Sequence, residues 1–384
     1  MLRLAFSCLM RLDKEGDLTD YRFVKSIIRS RVKGVYSEIN ALLAGTADAE
    51  IKAKYADVID QLPAMKELYG HRARLRKERG CMDIESGEVK LILDENGRCI
   101  DVKKRTSGES ESMIEEFMLL ANQCAAHFAR VKQIPFVYRV HDVPDPERIQ
   151  KLSTFISNYG YYMKALGRRN SKVSTEEIHP KEIQKLLSRA AGTPEEAMLS
   201  RLALRSMKQA KYTTDCVGHF GLAARYYTHF TSPIRRYPDL QIHRIIKENL
   251  HGRLGEKRLS HYGKLLPEAA VWTSSRERLA EEAERETEKA KKVQYMERRI
   301  GEVFDGVISG ISNYGFYVEL PDTVEGMVHV SELDGDYYVF DEAHYELVGE
   351  RTRKRFKLGQ PIRVQVVAVD RYLKTIDFLP VREF

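Results

Sequence analysis

A chain of 384 residues is long enough for two or three domains, and its 43% hydrophobic and 31% charged content is that of a globular protein with a sizeable core. No apolar run approaches the length of a membrane span and no charged-then-apolar leader is present, so a cytoplasmic protein with no membrane partner is expected. The net charge of +7 favours a polyanionic partner, and five scattered cysteines without a Cys-x-x-Cys pair support neither a disulfide framework nor a zinc site.

In chain order, residues 4 to 12 alternate so that Leu4, Phe6, Cys8, Met10 and Leu12 share one side of a strand, and Asp13 to Gly16 turn the chain into a second strand. The chain is therefore expected to start inside a sheet, with something missing upstream. Tyr36 to Leu43 and Asp48 to Arg79 read as mostly helical, and Val89 to Val102, broken at Asp94 to Gly97, reads as a hairpin. Ile114 to Val131 is a largely apolar helix that carries Glu115, Glu116 and Asn122. Polar groups in that setting need partners. Phe136 to His141 is a strand, and Asp145-Pro146 opens another helix with a cap and a first-turn proline. Arg276 to Arg299 is a long charged helix with opposite charges three and four apart. Five strands spaced as in a small β-barrel follow: Val303 to Ser309, Tyr314 to Leu320, Gly326 to Val330, Ile362 to Asp370 and Thr375 to Leu379.

Basic residues cluster at 71 to 79, at Arg235-Arg236 and at 351 to 357, the last including Arg353 and Arg355. Each run alone is compatible with a solvated face, but three of them, with 20 tyrosines and 14 phenylalanines available for base stacking, point to RNA. The chemistry concentrates in residues 227 to 244. There a Ser232-Pro233 turn precedes Arg235 and Arg236, and Asp239 is expected to cap a helix opening at Leu240. Two planar, permanently charged forks held by a turn suit a phosphodiester. The alternative is a salt-bridged structural turn. His219, His229 and His243 with Asp239 match no closed zinc spacing, and no Ser-His-Asp arrangement is present.

The string Tyr227-Thr-His-Phe-Thr-Ser-Pro-Ile-Arg-Arg-Tyr-Pro-Asp239 closely resembles a signature of the ribonuclease II and ribonuclease R family of processive 3′-to-5′ exoribonucleases. Glu115 to Asn122, Tyr138 to Asp142 and Glu277 to Arg285 resemble further landmarks of that family, and Asp336 to Asp341 favours its ribonuclease R branch. Residues 303 to 379 resemble an oligonucleotide-binding barrel of the S-one type. The fold implied is α+β: part of the family's catalytic domain over residues 1–298, a mixed sheet with helices, followed by a five-stranded antiparallel barrel over 299–384.

The resemblance implies hydrolysis of single-stranded RNA to nucleoside 5′-monophosphates in RNA turnover. Arg235 would act on the scissile phosphate, Arg236 on an adjoining one, Glu116 and Asn122 on the terminal nucleotides, and Glu284 near the end of the RNA channel. On the barrel, Tyr314, Tyr317 and His329 would share a base-stacking face while Phe316 points inward, and Asp370, Lys374, Arg353 and Arg355 would complete the RNA contacts. For Glu116 and Asn122 the alternative is that they satisfy backbone groups in a core helix. Family enzymes hold Mg²⁺ with an aspartate cluster, which this sequence lacks and which the resemblance places upstream. The chain is therefore expected to be a truncated or split monomer that holds no metal alone and hydrolyses RNA poorly, with the missing amino-terminal half as a possible partner. The competing function is a catalytically silent RNA-binding fragment.

Overall fold

The computed structural model describes residues 2–82, 89–163, 178–193, 195–341 and 344–381. Strands β1 (Leu2–Leu12) and β2 (Leu18–Arg29) form an antiparallel ribbon, and among the described residues no further strand joins it. Asp13 Oδ1 accepts the N–H groups of Glu15 and Asp17 to shape the turn. Gly16, at φ 89°, lies so close to the next helix that a Cβ would stand 2.7 Å from His71 Cβ, and its carbonyl accepts a 3.0 Å hydrogen bond from Arg72. The expected apolar stripe is only partly inside. Phe6, Cys8 and Met10 pack against the core, but Leu4 is 88% exposed because the open end of the ribbon projects beyond it.

Helices α1 (Tyr36–Leu43), α2 (Ala49–Lys54) and α3 (Leu62–Arg79) follow, then a hairpin of β3 (Val89–Leu93) and β4 (Cys99–Lys104). Helix α4 (Glu109–Lys132) runs through the centre. Its small residues Ala121, Cys124, Ala125, Ala126 and Ala129 let Phe23, Phe136, Tyr138 and Phe230 pack close to its backbone. Strand β5 (Tyr138–Val140) pairs antiparallel with β6 (Lys211–Thr213), and between them α5 (Pro146–Ser157), α6 (Pro180–Ala190) and α7 (Glu196–Ser206) build a second apolar cluster. The strands of this region pair two by two and antiparallel, β1 with β2, β3 with β4 and β5 with β6, and a parallel bridge from His141 to His219 extends the last pair. Asp145 caps α5 as its sequence requires, accepting the Glu147 N–H.

Helix α8 (Tyr237–Leu250) leads to α9 (Glu256–Met296), 41 residues and so about 60 Å long at 1.5 Å per residue. The charge pattern located only its second half. The first half is recognised by Tyr262, Leu266, Ala270 and Ser274, buried at a spacing of four against the central core.

The last turn of α9 carries Val293, Tyr295 and Met296 into the barrel, where they share one core with Cys99 and Val102 of β4. Strands β7 (Val303–Ser312), β8 (Gly315–Glu319) and β9 (Glu325–His329) are followed by an inserted sheet of β10 (Tyr338–Asp341), β11 (Glu346–Gly349) and β12 (Arg355–Lys357), then by β13 (Pro361–Asp370) and β14 (Thr375–Pro380). The barrel closes in the order β13-β14-β9-β8-β7. One expectation is corrected: β9 and β14 run parallel, because the chain crosses the barrel mouth through the inserted sheet before returning, so the barrel is not wholly antiparallel.

The barrel is tied to the first part by more than its linker. Arg201 of α7 reaches β7, β8 and β9, donating to the Ser309 carbonyl at 3.1 Å and to Glu319 at 2.5 Å, with Glu325 3.6 Å away. Glu319 and Glu325 face each other across the two strands, where like charges repel, and Arg201 offsets that repulsion.

Candidate nucleic-acid interface

The segment between β6 and α8 is built from the centre outward. Thr228 donates to the Val137 carbonyl at 2.6 Å, Asn122 of α4 accepts the Phe230 N–H at 2.8 Å and donates to the Tyr227 hydroxyl at 3.2 Å, and His243 donates to the Phe230 carbonyl at 2.7 Å. Residues 227 to 230 thereby have no freedom. The chain then rises into the Ser232-Pro233 turn, where the Ser232 carbonyl accepts the N–H groups of Arg235 and Arg236.

The helix after this turn begins at Tyr237, with Pro238 in its first turn, so Asp239 is not the cap expected from the sequence. Asp239 is fully buried inside the first turn. Its Oδ1 accepts the Ser232 N–H at 2.8 Å and two hydrogen bonds from Arg236, at 2.8 and 3.2 Å. The two arginines are consequently inequivalent. Arg236 is half-buried and tethered, whereas Arg235 is exposed and has no hydrogen-bond or ion-pair partner for its side chain among the described residues, beside a fully exposed Ile234.

A third guanidinium stands behind them. Arg139 lies 4.7 Å from the centre of the Tyr212 ring and is paired at 2.5 Å with Glu277 of α9, while the Tyr212 hydroxyl and His229 Nδ1 are 2.8 Å apart. No local pattern announces the Arg139–Glu277 pair, because its members are 138 residues apart. Burial, reinforced by the charges of Arg236 and Arg139, pulls His229 down to about 2, and burial with His141 and Arg139 pulls His219 down to about 3. Both imidazoles are neutral in the folded protein and protonate on unfolding below about pH 6.5, their usual value. Their contribution to stability is therefore complete above pH 6.5 and is lost with acid, down to about pH 3 for His219 and about pH 2 for His229, each contributing a slope of up to about 1.4 kcal/mol per pH unit. Denaturant unfolding measured from pH 7 to pH 4 should show this slope, and His219→Phe should make it shallower by about one proton.

Glu116 is buried, with Arg76 Nε at 3.3 Å and Arg72 Nε at 3.7 Å, and neither carboxylate oxygen makes a hydrogen bond. Burial pushes its carboxyl above the ordinary range and the Arg72 guanidinium below its own, each opposed by the other's charge. Glu116 and Asn122 are thus inside α4's packing, while Glu115, on the same turn, is the exposed carboxylate. Asn122 has both side-chain groups committed to the 227–230 segment. Glu284 lies on the exposed stretch of α9.

On the barrel, Tyr314 in the turn before β8 is 70% exposed, Tyr317 is 41% exposed and His329 is exposed, while Phe316, alternating with Tyr317, is completely buried. Gly315 makes the step possible. It pairs with His329 at φ 141°, and any Cβ there would lie 2.1 Å from the Val328 carbonyl oxygen. The other barrel candidates differ among themselves. Arg355 and Lys357 share the buried Glu346 at 3.1 and 3.2 Å, whereas the Arg353 side chain is exposed without a partner among the described residues. Asp336 holds the basic turn by accepting from Thr352 and Arg351, which depresses its carboxyl well below the usual range. Asp370 accepts the N–H groups of Tyr372 and Leu373 at 2.7 and 2.8 Å, and Lys374 pairs with Glu286 of α9. Asp370 shapes the β13–β14 turn and Lys374 docks the barrel on the helix.

Among the described residues no group of three or more His, Cys, Asp or Glu side chains is placed to hold a metal ion.

The sequence matches the family described as RNB domain over residues 2–252 and the S1 RNA binding domain over residues 297–379. Ribonuclease R 1 of Lactococcus lactis is 41% identical over 376 residues, 98% of this chain and 45% of that protein. Ribonuclease R of Thermotoga maritima is 41% identical over 384 residues, 99% of this chain and 52% of that protein. The chain therefore spans about half the length of the curated relatives it matches. Among solved structures, Mycoplasma genitalium RNase R in complex with ribose methylated single-stranded RNA superposes with a TM-score of 0.89 at 23% identity, over 99% of this chain and 58% of that one. With an RNB match across most of its first part, an S1 match on its barrel and ribonuclease R relatives along nearly its whole length, the chain belongs to the RNB family, in its ribonuclease R-like form with an S1 domain.

Proposed function

We propose that this chain forms the phosphate-contacting wall and the RNA-binding barrel of a hydrolytic exoribonuclease that removes nucleoside 5′-monophosphates from the 3′ end of single-stranded RNA in the cytoplasm. The observation that carries the reading is the inequivalent arginine pair: Arg236 is anchored on buried Asp239, and Arg235 is projected beside it with its charge unspent. A tethered cation orients a phosphate, and an untethered one is available where charge develops in a transition state. Arg235 is assigned to the scissile phosphate and Arg236 to the neighbouring one. The barrel trio supplies sequence-tolerant stacking, and Arg353 supplies backbone neutralisation.

Residues 1–298 are read as the catalytic portion and 299–384 as the RNA-binding barrel, the working protein as a monomer, and Mg²⁺ as the ion the whole enzyme requires, held by residues outside this chain. The test is trimming of a 5′-labelled oligoribonucleotide. The chain alone should release mononucleotides at least about a thousandfold more slowly than a chimaera in which the amino-terminal half of the Thermotoga relative precedes residue 2. Equal rates would remove the need for any upstream residues, and a chimaera that binds RNA without trimming it would favour the silent RNA-binding reading.

A further inference from the structure

A cleft opens between the carboxyl end of α3, the Gln123–His127 face of α4 and residues 223 to 226, on a different face of α4 from the one Asn122 turns to Tyr227 and Phe230. It is lined by Arg79, Arg225, Gln123, His127 and Tyr226, with Cys124 also in its wall and no carboxylate among the described lining side chains. Most partly buried guanidiniums of this chain face a carboxylate: Arg139 has Glu277, Arg236 has Asp239, Arg201 has Glu319 and Arg72 has Glu116. Half-buried Arg79 departs from that pattern, with the charge of Glu116 acting on it but no ion pair formed among the described residues, and Arg225 is exposed at the cleft. Arg79 Nε is buried and donates to nothing, and no hydrogen bond or ion pair of either guanidinium is found among the described residues.

A cleft lined by two guanidiniums and by no carboxylate of the described residues is positively charged, and Arg79 Nε, buried without an acceptor, gains one when an anion enters from outside. The rest of the cleft suits a nucleotide. Arg225 lies 5.2 Å from the centre of the Tyr226 ring, the His127 and Tyr226 rings are 5.6 Å apart, and His127 Nδ1 is held 2.7 Å from the Tyr21 hydroxyl. The backbone is also under constraint, since Ala223 in the wall has a positive φ of 47°, held by hydrogen bonds between His219 and Ala224 on either side.

We propose that this cleft is a second phosphate site, separate from Arg235 and Arg236, in which the Arg79 and Arg225 forks take the phosphate of a nucleotide or an RNA strand and the Tyr226 and His127 rings flank its base or sugar. The proposal extends the RNA reading but does not use its residues. It is tested on the full chain by NMR of the histidine side chains, titrating inorganic phosphate, adenosine 5′-monophosphate and a uridine tetranucleotide against sodium chloride of equal ionic strength. His127 should shift saturably with the phosphate probes and not with chloride. Binding should weaken about tenfold in Arg225→Ala and several-fold in Arg79→Lys, which keeps the charge but loses the fork, and should be unchanged in Arg235→Ala.

Tighter binding of the nucleotide than of phosphate would assign the rings a share, and equal binding would leave the phosphate as the recognised group. No saturable shift, the same shift with chloride, or a titration untouched by both arginine variants would overturn the site. A His127 titration that persists when the oligonucleotide fails to bind the barrel would retain this site and count against the RNA reading instead.

Discussion

Arg235→Ala is expected to lower the turnover of single-stranded RNA by about 10²- to 10³-fold in the Thermotoga chimaera while changing the RNA dissociation constant less than about threefold. The reason is the contrast between the two arginines. Arg236 has two hydrogen bonds to Asp239 and its removal would also release the Ser232 turn, so Arg236→Ala should damage binding, rate and stability together. Arg235 supports nothing else among the described residues, so its loss is a loss of charge at one position. Arg235→Lys should recover only part of the rate, because an ammonium is a point charge without the planar fork. Single-turnover rates and dissociation constants measured on the same preparations decide the matter. Equal losses in rate and affinity for Arg235→Ala would make it a general RNA contact, and an effect confined to Arg236→Ala would reverse the two roles.

The double substitution Tyr314→Ala, Tyr317→Ala should weaken single-stranded RNA binding by the chain at least about tenfold, since each stacked base contributes roughly 1–3 kcal/mol. Neither ring is part of the barrel core, which contains Phe316 instead, so thermal stability should hardly change. Binding should also fall steeply with salt. Arg353→Ala should flatten the plot of log affinity against log salt by about one phosphate contact, whereas Arg355→Ala, whose guanidinium already has Glu346, should flatten it less. RNA titrations at two or more salt concentrations test both points. Unchanged affinity in the double tyrosine variant would mean that the RNA face lies elsewhere on the barrel.

The acidic turn and the long helix show where reading residues in order stops working. Asp239 sits where a cap is expected if the helix starts at Leu240, but Pro238 is tolerated in a first turn, the helix starts three residues earlier, and the same carboxylate becomes a buried anchor. In α9 the charged half has an obvious i, i+4 pattern, while the half that matters for the core shows its face only against Tyr212 and α8. Asp370 and Lys374 stand beside the aromatic trio in the barrel's sequence pattern, yet one closes a turn and the other reaches α9.

By itself the sequence determined what depends on near neighbours: the first hairpin, the central apolar helix, the barrel strands, the inward Phe316 beside outward Tyr317, and the turn that carries Arg235 and Arg236. These follow from periods of two and 3.6 and from turn chemistry, which act over a few residues. Only the tertiary structure decided which arginine is spent and which is free, that Asn122 and Glu116 are buried, that Arg139 meets Glu277, that β9 closes on β14 in parallel, and that Arg79 and Arg225 line one cleft with no carboxylate among its described residues. The physical reason is that charge pairing and burial are set by groups many tens of residues apart, brought together by packing of apolar faces whose partners no local spacing encodes.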